Sequence, residues 1–151
     1  MFVTDESEVT VRPARDAKEI DAAMELRVRV FVDEQGVDPA EELDDLDEQS
    51  LQIVALDETG VIATCRLRDL SGGEWKLERM VVDRRVRGHG VGARLLAGAE
   101  REVQERGAAE MVLNAQRRAE SFYAEHGYAP EGETFVEAEI EHVRMRKALR
   151  E

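Results

Sequence analysis

Residues 77–96 read LERMVVDRRVRGHGVGARLL, and the organisation of the chain follows from them. Met80-Val81-Val82 closes a strand-like run that begins at Trp75, while Val91, Leu95, Ala99 and Val103 recur at spacing four up to Gly107, the pattern of an amphipathic helix with its terminator. Between them Gly88, Gly90 and Gly92 alternate at a strand-to-helix junction. Such a junction leaves backbone amides uncovered at a helix N-terminus, where unpaired N–H groups and the helix dipole both favour phosphate oxygens. Arg84, Arg85, Arg87 and Arg94 surround the loop, and no acid occurs between residues 84 and 99. In a chain of net charge −13, this local arginine island points to a polyanionic ligand. A nucleoside-triphosphate loop would need Lys and then Ser or Thr after the last glycine, where Ala93 and Arg94 stand. A dinucleotide-binding turn would follow its strand at once and find an acid at the end of the next, but Asp83–Arg87 intervene and Asn114-Ala115 occupy that end.

Outward from this stretch the pattern stays regular. Upstream, Glu8–Pro13 alternates like a half-buried strand, and Asp16 is placed to cap a helix carrying Ile20, Met24, Val28, Phe31 and Val32, which ends near Gly36 and Pro39. Residues 38–50 (DPAEELDDLDEQS) lack an apolar face and read as a loop with one helical turn at most. A calcium loop does not fit there, because Ser50 holds the place of its turn glycine and Leu56 that of its bidentate Glu. Leu51–Leu56 and Val61–Leu67, joined by Asp57-Glu58-Thr59-Gly60, and then Trp75–Val82 predict three consecutive antiparallel strands. Downstream, Met111–Ala115 is a strand, Ala119–Glu125 a short helix closed by His126-Gly127, and Phe135–Met145 the last strand material. The order predicts a mixed α/β fold, with a mostly antiparallel central sheet flanked by helices.

Composition narrows the function. With 151 residues and 42% hydrophobic content the chain is one domain's worth of sequence. Twenty-one basic against 34 acidic residues argue against a basic nucleic-acid-binding face. Apolar runs fall far short of the roughly 20 residues that cross a bilayer, and the acidic start MFVTDESEVTV does not resemble a secretory leader. A soluble cytoplasmic protein is expected. Cys65 is the single cysteine and the histidines number three, which leaves little for a disulfide framework or a metal site. Only Lys18, Lys76 and Lys147 are lysines among the basic residues, an acidic, lysine-poor balance similar to that of salt-adapted, halophilic microbes.

Arg87-x-x-Gly90-x-Gly92 after Met80-Val81-Val82 and before the helix resembles the acetyl-CoA signature of the GNAT superfamily of N-acetyltransferases. Asn114 at the end of the following strand, and Ser121-Phe122-Tyr123 followed by His126-Gly127-Tyr128, match further segments of that family. Within it the chain is similar to the ElaA-like branch, through Leu26–Gln35, the acidic Glu42–Asp47, Leu113–Gln116 and the stretch from Gly132-Glu133 to Glu141-His142. It departs where that branch reads Asp-Gly-Ile-Pro-His, here Ala138-Glu139-Ile140-Glu141-His142, at the substrate end.

The resemblance implies a GNAT-like fold, a single acetyltransferase domain over residues 1–151, and transfer of an acetyl group from acetyl-CoA to a primary amine on a small molecule or peptide. It implies that Met80, Val81 and Val82 bind the pantetheine arm through backbone groups. Arg87 and the amides of Gly88, His89, Gly90, Val91 and Gly92 would hold the pyrophosphate, and Asn114 and Ser121 would add polar contacts. Tyr123 is the implied general acid, because a phenol of pKa about 10 can protonate the departing thiolate. For the base, Glu78 on the motif strand, Glu34 at the end of the first helix and His142 on the last strand stay open, with Glu34 and His142 also facing the acceptor. Cys65 reads as core. No metal, nucleic acid or membrane is called for, and the last strands could pair across a homodimer. A non-catalytic acyl-CoA-binding regulatory module is the other reading.

Overall fold

The computed structural model describes residues 8–149, so part of the acidic N-terminal stretch lies outside the described residues. Among the described residues seven strands form one sheet in the order β1-β2-β3-β4-β5-β7-β6. They are β1 (Thr10–Pro13), β2 (Leu51–Asp57), β3 (Gly60–Asp69), β4 (Glu74–Val82), β5 (Glu110–Gln116), β6 (Ala129–Glu137) and β7 (Ile140–Ala148). All neighbours are antiparallel except β4 and β5, which are parallel and joined by the crossover helix α3 (Val91–Glu105). Helix α1 (Ala17–Arg27) starts at Asp16, whose carboxylate accepts the Glu19 amide at 2.9 Å; α2 (Pro39–Glu42) is one turn and α4 (Glu120–Glu125) precedes β6.

Two apolar clusters hold the layers together. The larger joins Leu95, Ala99 and Val103 of α3 and Tyr123 of α4 to strand residues including Ile53, Cys65, Leu77, Leu113 and Met145. The smaller packs Leu26 and Val30 onto Val81. Helix α3 sits close over β1 because residue 98 is glycine: a Cβ there would overlap Val11 Cγ1 and lie 3.0 Å from Val11 Cβ.

Three features differ from the sequence-based expectation. Beyond Arg27 the first helix widens into a π-helical stretch, Val28–Glu34, a rare form that concentrates at functional sites. The last strand material is two strands, the first beginning at Ala129, joined by a turn in which Ala138 (φ 52°) and Glu139 (φ 63°) are both left-handed. Glycine or asparagine normally marks such a turn, so the sequence carries no signal for it. Third, β4 contains a bulge: Thr64 pairs with Val81 but Arg66 with Glu78, and Arg79 within the bulge has φ 56°.

The acid-rich 38–50 segment is folded onto the sheet by two arginines with no exposed surface. Arg27 donates from Nε to Glu42 (2.8 Å) and from Nη1 to Asp47 (2.6 Å). Arg66 donates to both oxygens of Asp44 (2.8 and 2.7 Å), to Asp47 (3.1 Å) and to Glu78 (3.0 Å). Arg79 adds bonds to the carbonyls of Glu41 and Glu42. Burial would raise the Glu78 carboxyl, but the Arg68 hydrogen bond and the charges of Arg66 and Lys76 outweigh it and hold it at about 2. The hydrogen bond from Arg66 holds Asp44 well below the usual carboxylate range.

Two predictions follow from this packing. Gly98→Ala should destabilise the fold by ~1–3 kcal/mol of overpacking, less up to about 1 kcal/mol regained in helix propensity. In a Val11→Ala background the same change should become neutral or stabilising; an unchanged cost there, read by thermal melts, would refute the contact. Because Glu78 and Asp44 titrate lower folded than unfolded, their contribution is complete above the ordinary carboxylate range of roughly 4 and is lost as pH falls toward 2. Melting temperature should therefore drop steeply between those limits, with amide exchange in residues 38–50 rising first; a flat profile would contradict the clamp.

Candidate active site

The β4 bulge creates an open strand edge. Strands β4 and β5 pair only from Glu74↔Glu110 to Leu77↔Leu113, whereas β4 stays paired with β3 up to Val82↔Ala63. Backbone groups of Met80–Val82 on the β5 side therefore have no strand partner, the geometry in which an extended amide-bearing chain can be added. Val81 is buried in the smaller core cluster, and Met80 and Val82 pack partly buried against the larger, so side chains and backbone serve different ends.

At the end of that edge the glycine loop turns into α3. Gly88 (φ 83°) and Gly90 (φ 80°) hold left-handed conformations, and Gly90 is the N-cap without a side-chain cap. Arg94 N–H to Gly90 O, at 3.1 Å, is the first bond of the helix, so the amides from Gly88 to Ala93 have no acceptor among the described residues. His89 is exposed between the two left-handed glycines, and Val91 is buried, so it offers only its amide. A Cβ at Gly92 would sit 3.5 Å from Met80 Cε and 3.6 Å from Phe122 Cζ, which places this turn against the β4 edge and α4. Arg87 donates from Nε to Val82 O (2.9 Å), and its Nη2 lies 2.8 Å from Glu34. Two more arginines of the island have local work: Arg94 donates to Val9 O (3.0 Å) and Arg85 to Thr59 (3.1 Å).

Where β4 and β5 separate, a cavity of about 240 Å³ opens. Its lining includes Met80, Asn114, Ala119 and Tyr123 together with Glu78, Arg79, Gln116, Glu137 and His142. Asn114 Oδ1 is buried with no hydrogen-bond partner among the described residues, a costly arrangement unless a ligand donates to it. Tyr123 is 8% exposed, and among the described residues its hydroxyl has only the Met80 thioether, a weak acceptor, 3.5 Å away. Burial, with a smaller contribution from Cys65, raises the Tyr123 pKa above its ordinary value, so the phenol keeps its proton at neutral pH. Burial alone lifts the Cys65 thiol to about 12.

The three candidate bases fall in different surroundings. Glu34 does not line the cavity; its carboxylate is spent on Arg87, a correction to its expected place at the acceptor. Glu78 does line it, but is gripped by Arg66, Arg68 and Lys76 and depressed to about 2, which makes it a weak proton acceptor. His142 is 6% exposed and stacks on Phe135; its Nδ1 must donate to the Ile140 carbonyl at 2.7 Å, which leaves the Nε2 lone pair unprotonated in the neutral ring. Ser121 is exposed on α4 and lines no part of the cavity. Among the described residues no cluster of His, Cys, Asp or Glu could hold a metal, and no helix is long and apolar enough to cross a membrane.

Sequence reasoning missed Arg79, Gln35, Gln116 and Glu137. Gln116 donates to Gln35 at 2.9 Å and ties the π-helical stretch to β5 across the cavity. Both glutamines lie in segments that carried the branch resemblance, which was the available signal; a bulged arginine inside a strand leaves none.

A family model described as Acetyltransferase (GNAT) domain matches residues 12–149. The uncharacterised N-acetyltransferase YjcF of Bacillus subtilis (strain 168) is 36% identical over 135 residues, covering 89% of this chain and 96% of its own. An acyl-CoA N-acyltransferase from Pseudomonas aeruginosa superposes with TM-score 0.80 at 27% identity, over 93% of this chain and 98% of its own. Escherichia coli ElaA shares the fold, with TM-score 0.81 at 22% identity over 92% and 99% of the two chains. A sheet split beside a glycine loop is thus joined to a sequence match along nearly the whole described chain, and the chain belongs to the GNAT acetyltransferase family.

Proposed function

We propose that residues 1–151 act as one acetyltransferase domain that moves an acetyl group from acetyl-CoA to a primary amine by direct attack. One observation supports this above the others: the opening between β4 and β5 brings an unpartnered amide oxygen (Asn114), a protonated and nearly unbonded phenol (Tyr123) and an unpaired strand edge into one cavity. These groups fit the thioester arm of acetyl-CoA, which has peptide-like amides to pair with an edge and a sulfur that needs a proton. The free amides from Gly88 to Ala93, with Arg87 beside them, fit its pyrophosphate.

Acetyl-CoA supplies an activated carbonyl. Strand amides and Asn114 orient it, and holding it in line with the amine accounts for most of the acceleration. As the C–N bond forms and the C–S bond breaks, the electron pair leaves on sulfur and Tyr123 supplies its proton. Of the two protons lost by the ammonium form of the amine, one goes to a base and on to solvent, and the other restores Tyr123. The raised pKa of the phenol does not disqualify it, because a thiolate set in the same dry cavity is destabilised in the same direction.

Two measurements test the reading. In calorimetric titration, Arg87→Ala should weaken acetyl-CoA binding by roughly 10–100-fold, the value of a charge-assisted hydrogen bond. Glu34→Gln should tighten it, since Glu34 holds Arg87 in the free protein; no measurable acetyl-CoA binding by the folded wild type would sink the proposal. Tyr123→Phe should lower kcat by about 10²–10⁴-fold with acetyl-CoA affinity nearly intact. Unchanged turnover in that variant would remove Tyr123 from the mechanism.

A further inference from the structure

A second cavity, about 400 Å³, shares Phe31, Glu78, Arg79, Gln116, Glu137 and His142 with the first and extends from it toward α2. Its remaining walls are apolar where Val37 and Ile140 stand, and acidic where α2 and the following loop reach it. Five carboxylates line it, and they divide into two sets. Glu42, Asp44 and Glu78 are consumed by Arg27, Arg66, Arg68 and Arg79. Glu41 and Glu137 meet no arginine or lysine among the described residues; Glu137 has only His142 Nε2, 3.9 Å away. Acid surplus alone would say little, but two buried residues of the lining each carry an atom without a hydrogen-bond partner among the described residues. His142, 6% exposed, has its Nδ1 committed to Ile140 and no hydrogen bond at Nε2. Glu42, 2% exposed, has an Oε2 that accepts no hydrogen bond.

We propose that this second cavity is the acceptor site and that the acceptor is a small aliphatic primary amine carrying a second positive charge. The assignment rests on the acyl-transfer reading above and specifies its substrate. The reacting ammonium donates to His142 Nε2 beside Glu137, at the wall common to both cavities, in the first of which Tyr123 also stands. His142 takes that proton, and Glu137 stabilises the imidazolium so formed. The aliphatic stem lies along Phe31, Val37 and Ile140, and the distal cation meets Glu41 at the α2 end. Volume agrees: a few hundred Å³ holds a short chain and not a folded partner.

The test is CoA-thiol release with acetyl-CoA and three acceptors of one length, 1,5-diaminopentane, 5-amino-1-pentanol and pentylamine, on wild type, Glu41→Gln and His142→Gln. The diamine should exceed both neutral-tailed amines at least tenfold in kcat/KM, and Glu41→Gln should shrink that ratio at least threefold. His142→Gln should lower kcat at least 100-fold while calorimetry shows acetyl-CoA still bound. Equal kcat/KM for the three amines, or a ratio unmoved by Glu41→Gln, overturns the acceptor class and leaves acetyl transfer standing. Acetyl-CoA bound without turnover of any of the three overturns it equally, whereas no binding of acetyl-CoA at all removes the reading beneath it.

Discussion

Two guanidinium groups with no access to solvent, Arg27 and Arg66, impose the arrangement on which the site depends. A buried cation costs several kcal/mol unless carboxylates surround it. Here the neutralising groups come from Glu42, Asp44 and Asp47 in a segment with no apolar face of its own, and from Glu78 in the sheet. That segment is held by charge instead of by hydrophobic burial. Its position places Glu41, Glu42 and Asp44 in the wall of the second cavity and leaves Arg79 free to bind the carbonyls at its start. A stretch of acids that would otherwise be a solvated loop becomes part of a cavity wall.

The second constraint is the extra residue in β4. A regular strand would keep pairing with β5 beyond Leu77, and the edge from Met80 to Val82 would be covered. The bulge at Arg79 redirects the strand after it has served as part of the core, so one strand is paired on both sides in its first half and leaves an edge without a strand partner in its second. Its arginine points into the ionic network, which joins the split in the sheet to the anchoring of the acidic segment.

Much of the fold was legible because it rests on local signals. Asp16 as a cap, the spacing of Val91, Leu95, Ala99 and Val103, and the glycine turn before α3 each write their geometry into neighbouring residues. The glycine loop beside the cavity was legible for the same reason, since Gly88, Gly90 and Arg87 form one short motif. The second cavity was not. It is built from the pairing of Arg27 with Glu42, fifteen residues apart, and of Arg66 with Asp44, twenty-two apart, together with a π-helical stretch and a bulge that have no compositional mark. Glu34 shows how this misleads: its chain position suggested the acceptor, but the widened helix delivers it to Arg87.

The hairpin between β6 and β7 carries a different implication. Two side-chain-bearing residues, Ala138 and Glu139, are held in left-handed backbone conformations at a turn whose neighbours Glu137 and His142 reach the cavity. Each such residue costs of order 1 kcal/mol that glycine would not. The fold therefore keeps a reserve of unclaimed stability at the rim of its pocket. Evolution or engineering toward a hardier protein would find that reserve early, and drawing on it would loosen the backbone that fixes what the pocket admits.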